Sequence, residues 1–269
     1  MPQRLTINAE APLLRRLGLD TLAGVRAFRG ARVKDHHGRR DVLRIEVQDP
    51  AGAWRVWFLK RTWRPYLKDG LTSLWRRGAV WSVSHCEAEH ARVLERAGFL
   101  TPRCLAWGEE VGLLREKFSF LLTESAPGVP LSDFLARCRE RARRQCVLDA
   151  LARGLRRFHD AGLATPDLFT RHIFVETVGE GPPKFWFIDM ARLDVRGRVS
   201  LRRRARDLAA LNVTAPPGLV SARERVRFLK VYAGRLDKAL ARRIARRMEH
   251  LLRRRRFQDF FRNNEPNVK

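Results

Sequence analysis

Cysteine is scarce and unpatterned in this chain of 269 residues: Cys86, Cys104, Cys138 and Cys146 form no C-x-x-C pair and have no histidine at zinc-finger spacing. Neither a disulfide framework nor a structural zinc site is indicated, and the thiols read as reduced and mostly structural, as in the cytosol. Long apolar runs are also missing. No stretch approaches the roughly 20 apolar residues that span a bilayer. The opening MPQRLTINAEAPLLRRLGLD holds no apolar segment of signal-peptide length, so a soluble intracellular protein is expected. There is no G-x-x-x-x-G-K phosphate loop, which argues against a P-loop nucleotidase, and there is no internal repeat or low-complexity linker.

Acidic residues are outnumbered, 29 against 55 Lys plus Arg, for a formal charge of +26. Such an excess points to a polyanionic partner: nucleic acid, an anionic membrane surface or a phosphorylated substrate. Only eight of the cations are lysines. The arginines suit bidentate phosphate contacts, although an arginine bias also arises from genome composition. With no zinc finger, RNA-recognition signature or helix-turn-helix cue, charge alone argues for nucleic acid, which is therefore unlikely as a partner. The 45% hydrophobic content is ample for one large domain or two packed lobes.

The first half reads as strands. VRAFRGARV (25–33), DVLRIEVQ (41–48) and AWRVWFLK (53–60) are rich in β-branched and aromatic residues and separated by turns. A helix is expected over 83–99, with Ala91, Leu94 and Ala97 at helical spacing and a stop at Gly98. Strands follow at 103–110 and 116–124. The second half is expected to be mainly helical, with helices at 145–162, 202–212, 221–234 and 235–256 and short strands at 172–176 and 184–190. In the last helix Leu236, Leu240, Ile244, Met248 and Leu251 should bury one face, with arginines on the rest. The expected fold class is α+β: a small antiparallel β-rich lobe with one helix (1–124), a hinge near 124–129, and a larger helical lobe (125–269).

The most informative segment is FHDAGLATPDLFTRHIFVE (158–176), followed by FWFID (185–189). An Asp after a helix, a polar residue five positions on, and two short strands ending in Ile-Asp resemble the catalytic segment of the protein-kinase-like fold. The stretch Asp167-Leu168-Phe169-Thr170-Arg171-His172-Ile173, with His where kinase-like enzymes generally have Asn, resembles the Kdo/WaaP lipopolysaccharide kinase family. Other blocks fall in the same order: Phe58-Leu59-Lys60-Arg61, Glu87 with Leu94 and Gly98, the hinge-like FLLTESAPGVPLSDFL, and RRARDLAALN.

The resemblance implies an ATP-dependent kinase acting on a heptose or Kdo hydroxyl of the lipopolysaccharide inner core, peripheral to the inner membrane on its cytoplasmic side. It implies that Lys60 holds the nucleotide phosphates and Glu87 fixes Lys60, with Glu124 and Ser125 at the nucleotide hinge. Asp167 would serve the acceptor hydroxyl. Asp189 and His172 would hold Mg²⁺ or another divalent metal, and Asp207 would brace the catalytic loop. Three features depart from kinase-like patterns. The His-Arg-Asp triplet is replaced by Thr165-Pro166-Asp167, Asp189-Met190-Ala191 lacks a glycine, and the turn at 34–38 is glycine-poor.

Taken singly, these residues have plainer readings: Lys60 as a strand-end lysine, Asp167 as a turn residue after Pro166, Asp189 as a cap. Their joint order favours the kinase reading. Glu89 rivals Glu87 on the same helix, and Glu87 is preferred because it shares the face of Ala91, Leu94 and Ala97. His159 reads as structural. Trp63, Trp75 and Trp81, among basic residues, read either as ordinary packing or as an edge that meets lipid headgroups or sugars. Two alternatives stay open: a small-molecule or protein kinase of the same fold, and an inactive basic module that binds an anionic surface.

Overall fold

In strand β3 (Arg40–Gln48) burial alternates residue by residue, with Asp41, Leu43, Ile45 and Val47 inside. That period of two marks a sheet with one face sealed into a core. The computed structural model describes residues 3–35, 38–63, 79–113, 115–177, 179, 181–215 and 218–253, and it divides into two compact units, Met1–Ala126 and Pro127–Lys269.

The first unit is built on a six-stranded antiparallel sheet. Its strands are β1 (Gln3–Ile7), β2 (Ala31–Asp35), β3, β4 (Trp54–Trp63), β5 (Cys104–Val111) and β6 (Glu116–Glu124), in the spatial order β1-β5-β6-β4-β3-β2. One face packs Leu43, Ile45, Trp57, Leu59, Phe120 and Leu122 against α1 (Ala11–Arg16) and α2 (Leu22–Ala27). The other face lies under α3 (Val83–Arg96), where Ala88 meets Trp107 and Leu121.

Two expectations for this unit are corrected. The segment 25–33 is not one strand: residues 22–27 form α2, and strand pairing begins at Ala31 opposite Arg44. The helix is closed at both ends by side chains. Thr21 accepts the Gly24 N–H, and the guanidinium of Arg61 gathers the carbonyls of Val25, Arg26 and Phe28. Val25 is the apolar residue that α2 buries, so its β-branching served packing rather than a strand. The unit also holds three helices among the described residues instead of one. The α3 helix itself forms where expected and ends at Arg96, with Gly98 at φ 78° in the turn that follows it.

The second unit is mainly helical: α4 (Leu131–Arg137), α5 (Arg141–Asp160), α6 (Leu201–Thr214), α7 (Ala222–Ala233) and α8 (Lys238–Leu252). In α5 Val147, Leu148, Leu151, Leu155 and Phe158 are buried, following the 3.6-residue period. Two small sheets carry the intervening loops. One pairs β7 (Val129–Pro130), β9 (Ile173–Glu176) and β10 (Lys184–Phe187), and the other pairs β8 (Leu163–Ala164) with β11 (Asp194–Val195). A short 3-10 turn, Thr170–His172, precedes β9, so the strand begins one residue later than expected. Leu236 is not part of the buried face of α8; Asp237 caps that helix through the Leu240 N–H, leaving Leu236 outside it and half exposed. The readings of Trp75, His36 and His37, and of Arg254 to Arg256, lie outside the described residues.

Candidate active site

In the first unit the site is set by strand alternation. Lys60 pairs with Val42 and Leu121 across the sheet and points to the α3 side, where its ammonium forms an ion pair with Glu87 Oε1. Glu87 is buried. Its second oxygen lies 3.7 Å from the guanidinium of Arg40, so one carboxylate faces two cations. Glu89, two residues on and thus about 200° around the helix, pairs instead with Arg92.

The N-terminus of α3, which carries Glu87, is anchored by three side chains. Ser82 Oγ accepts the His85 N–H at 3.0 Å, Glu116 accepts the Val83 N–H at 3.0 Å, and Glu109 accepts the Ser82 N–H at 3.1 Å. Two buried carboxylates thus sit at the positive end of the helix. Their environments separate them. Burial pushes the Glu116 carboxyl up to about 7. Burial also acts to raise Glu109, but His85 beside it and the Ser82 hydroxyl and N–H outweigh that and hold it below the ordinary carboxylate range.

Glu124 and Ser125 close β6. The Glu124 N–H donates to the Arg103 carbonyl and the Ser125 N–H to that of Val56, while the Glu124 carboxylate lies 3.6 Å from Arg55. Both N–H groups are engaged in the sheet. A nucleotide contact at these two residues therefore falls to carbonyl or side-chain oxygens.

In the second unit the loop after α5 is pinned from beneath. Gly162, at φ 81°, passes so close to the Arg196 carbonyl that a Cβ would lie 1.8 Å from it, so glycine is required there. Asp207 on α6 is fully buried and accepts the Thr165 N–H at 2.7 Å. Thr165 Oγ1 in turn accepts the Asp167 N–H at 3.3 Å. His159, fully buried, bridges Tyr232 Oη at 2.7 Å and Asp207 Oδ2 at 3.4 Å, the structural role expected of it.

From this base Asp167, His172 and Asp189 come together. His172 Nδ1 lies 3.0 Å from the Asp167 carbonyl, which places its proton there. Nε2 is left as the acceptor; it takes the Arg171 Nε–H at 3.2 Å and lies 3.6 Å from Asp189 Oδ2. Asp189 adopts φ 57°, a left-handed conformation uncommon outside glycine. The Asp167 carboxylate receives Arg192, whose Nη1 lies 3.2 and 3.3 Å from its two oxygens.

The donor set suits a hard divalent cation held chiefly through phosphates and water. Asp189 offers a carboxylate, while the one lone pair of His172 Nε2 is taken up by Arg171 and reaches a cation only if that contact is released. Among the described residues no group of three or more His, Cys, Asp or Glu side chains forms a self-sufficient metal cage.

Arg40, Arg171 and Arg192 contact the candidate residues and were not singled out from the sequence. Nothing in their spacing distinguishes them within a chain of 47 arginines. The second unit also contains an apolar cavity of about 280 Å³ lined by Leu135, Leu148, Leu211, Leu229, Ile244 and Met248. Asn212 Oδ1 at its wall is buried and makes no hydrogen bond among the described residues.

The sequence model of the lipopolysaccharide kinase (Kdo/WaaP) family matches residues 23–232. The chain is 30% identical over 227 residues to the lipopolysaccharide core heptose(I) kinase WaaP of Pseudomonas aeruginosa, covering 80% of this chain and 81% of that protein. It is 27% identical over 226 residues to the enzyme of the same name from Escherichia coli K12, covering 81% and 83%. Among solved structures, WaaP in complex with acyl carrier protein superposes with a TM-score of 0.67 at 28% identity, covering 92% of this chain and 99% of that one.

Proposed function

The chain belongs to the lipopolysaccharide kinase (Kdo/WaaP) family, and on that premise we propose that it transfers the γ-phosphoryl group of ATP to a heptose or Kdo hydroxyl of the lipopolysaccharide inner core. The observation that carries the reading is the loop 165–172, which gathers Asp167, His172 and Asp189 through the Asp167 carbonyl and His172 Nε2.

Phosphoryl transfer asks a protein mainly for position and charge. Lys60 holds the nucleotide phosphates, and Glu87 keeps its ammonium on the α3 side of the sheet. Asp167 accepts or orients the proton of the acceptor hydroxyl. Arg192, now on both Asp167 oxygens, keeps that carboxylate directed until an acceptor arrives. Asp189, and His172 once Nε2 is released from Arg171, would hold a divalent metal such as Mg²⁺, which would supply charge neutralisation at the phosphates. Asp207 braces the loop by a backbone N–H, which explains how Thr165 and Pro166 can stand where kinase-like folds have His and Arg: the bond to Asp207 needs no particular side chain at 165.

The partners follow from the same reading. The exposed side of α8 presents Lys238, Arg242, Arg243, Arg246 and Arg253, suited to the anionic cytoplasmic leaflet of the inner membrane. Among the described residues no helix is long and apolar enough to cross a membrane. The complex formed by the structural relative makes an acyl carrier protein a second candidate partner, and the apolar cavity in the second unit offers room for an acyl group.

The test is transfer of labelled γ-phosphate from ATP to a lipid A–core acceptor that lacks the phosphate. Asp167→Asn should lower turnover at least about 100-fold while ATP binding persists. Undiminished turnover in that variant overturns the assigned mechanism.

A further inference from the structure

Glycine-rich turns bind nucleotide phosphates through backbone N–H groups, because without a Cβ the backbone can approach the anion closely. The turn between β2 and β3 is poor in glycine. Its Gly38 donates its N–H to the Asp35 carboxylate at 3.0 Å, within the turn itself. The Gly38 N–H is thus engaged, and a side-chain donor nearby would add to phosphate binding at this end of the sheet.

Arg40 stands in the right place. It opens β3 two residues after Gly38, and the register pairs Arg40 with Thr62 and Val42 with Lys60. Alternation puts residues 40, 42, 60 and 62 on the α3 side. Arg40 and Lys60 then meet on Glu87, one at each carboxylate oxygen. The Arg40 side chain keeps 28% of its surface exposed. A guanidinium carries five N–H donors in a fixed fork, enough to hold Glu87 with one edge and a phosphate with another. Glu116 also acts on Arg40; burial pushes its carboxyl up to about 7, so it is only partly charged near neutral pH.

We propose that Arg40 is a nucleotide-binding residue whose guanidinium contacts the phosphates of ATP beside Lys60, taking over part of what a glycine-rich turn supplies in related folds. The proposal rests on Lys60 being the nucleotide lysine. It places side-chain charge where the sequence offers little glycine, and it accounts for Glu87 facing two cations: the carboxylate orients both.

The test is calorimetric binding of ATP and of adenosine to the full chain and to Arg40→Ala, Arg40→Lys, Lys60→Ala and the double variant. Arg40→Ala should weaken ATP binding about 10- to 100-fold and leave adenosine binding unchanged, with Arg40→Lys in between. In the Lys60→Ala background, Arg40→Ala should weaken ATP further, since a direct contact survives the loss of its neighbour. Thermal melts without nucleotide identify a folding defect, and Arg40→Gln, which keeps a polar side chain at that position without the charge, replaces the alanine variant if one is found. Several results overturn the proposal: unchanged ATP affinity in Arg40→Ala with a loss in Lys60→Ala, equal losses for ATP and adenosine, or no further loss in the double variant. If ATP binding ignores Lys60 as well, the reading of the nucleotide site itself fails.

Discussion

Adjacent residues on β4 have opposite duties. Lys60 faces α3 and Glu87, whereas Arg61 faces the core under α2. There it makes a two-pronged contact with Asp41, Nε to Oδ1 at 2.9 Å and Nη2 to Oδ2 at 2.5 Å, and collects three carbonyls at the end of α2. Both Arg61 and Asp41 are buried, so removing the guanidinium strands a carboxylate and the end of a helix. Arg61→Ala should cost about 3–5 kcal/mol in denaturant unfolding, while Lys60→Ala, which leaves Arg40 beside Glu87, should shift the same curve less and act mainly on nucleotide binding. Equal stability losses in the two variants would show that the division of labour is wrong. At this scale the sequence was legible where a residue type stands out. Lys60, Glu87, Asp167, His172 and Asp189 each belong to a spaced pattern, and the structure pairs Lys60 with Glu87 and His172 with Asp189. The arginines that contact them, Arg40, Arg171 and Arg192, were hidden by their own abundance.

Among the elements, α3 is the one whose position matters most to the candidate site, because it carries Glu87. Its N-terminus rests on Glu109 and Glu116. Glu116, raised to about 7, stays protonated in the folded chain at pH values where the unfolded chain has already ionised it. Its stabilising effect is thus complete below its ordinary value near 4.5 and is lost as pH rises through about 7. The total is about 3 kcal/mol. Glu116→Gln should remove this slope: measured by urea unfolding from about pH 5 to 8, the variant should lose less stability than the parent chain as pH rises. Parallel curves would mean that Glu116 does not titrate in that window. Helices of this length could be read from their spacing, as α3 and α5 were. The helices α1 and α2, six residues each, are too short to display a period, and α2 is defined by Thr21 and by an arginine 34 positions beyond its last residue, which no local window contains.

For the molecule as a whole, the +26 charge is the dominant physical fact. Many arginines are engaged: Arg144 with Glu224, Arg227 with Asp149, Arg204 with Asp160, pairs that hold the helices of the second unit to one another. Within α8 itself, among the described residues, Glu249 is the single acidic residue beside the cations of its exposed side. Binding to vesicles containing anionic lipid should therefore fall steeply between about 50 and 500 mM salt, and reversing Arg242, Arg243 and Arg246 to glutamate should abolish it at the lower value. Salt-insensitive binding, or none, would return those arginines to plain solvation. The first sheet also imposes an order in time. Strand β1 pairs with β5 from Gln3 opposite Glu110 to Ile7 opposite Ala106. The residues of β1 must therefore wait for partners made about a hundred residues later, and that long closure sets when the first unit can complete its core on the ribosome.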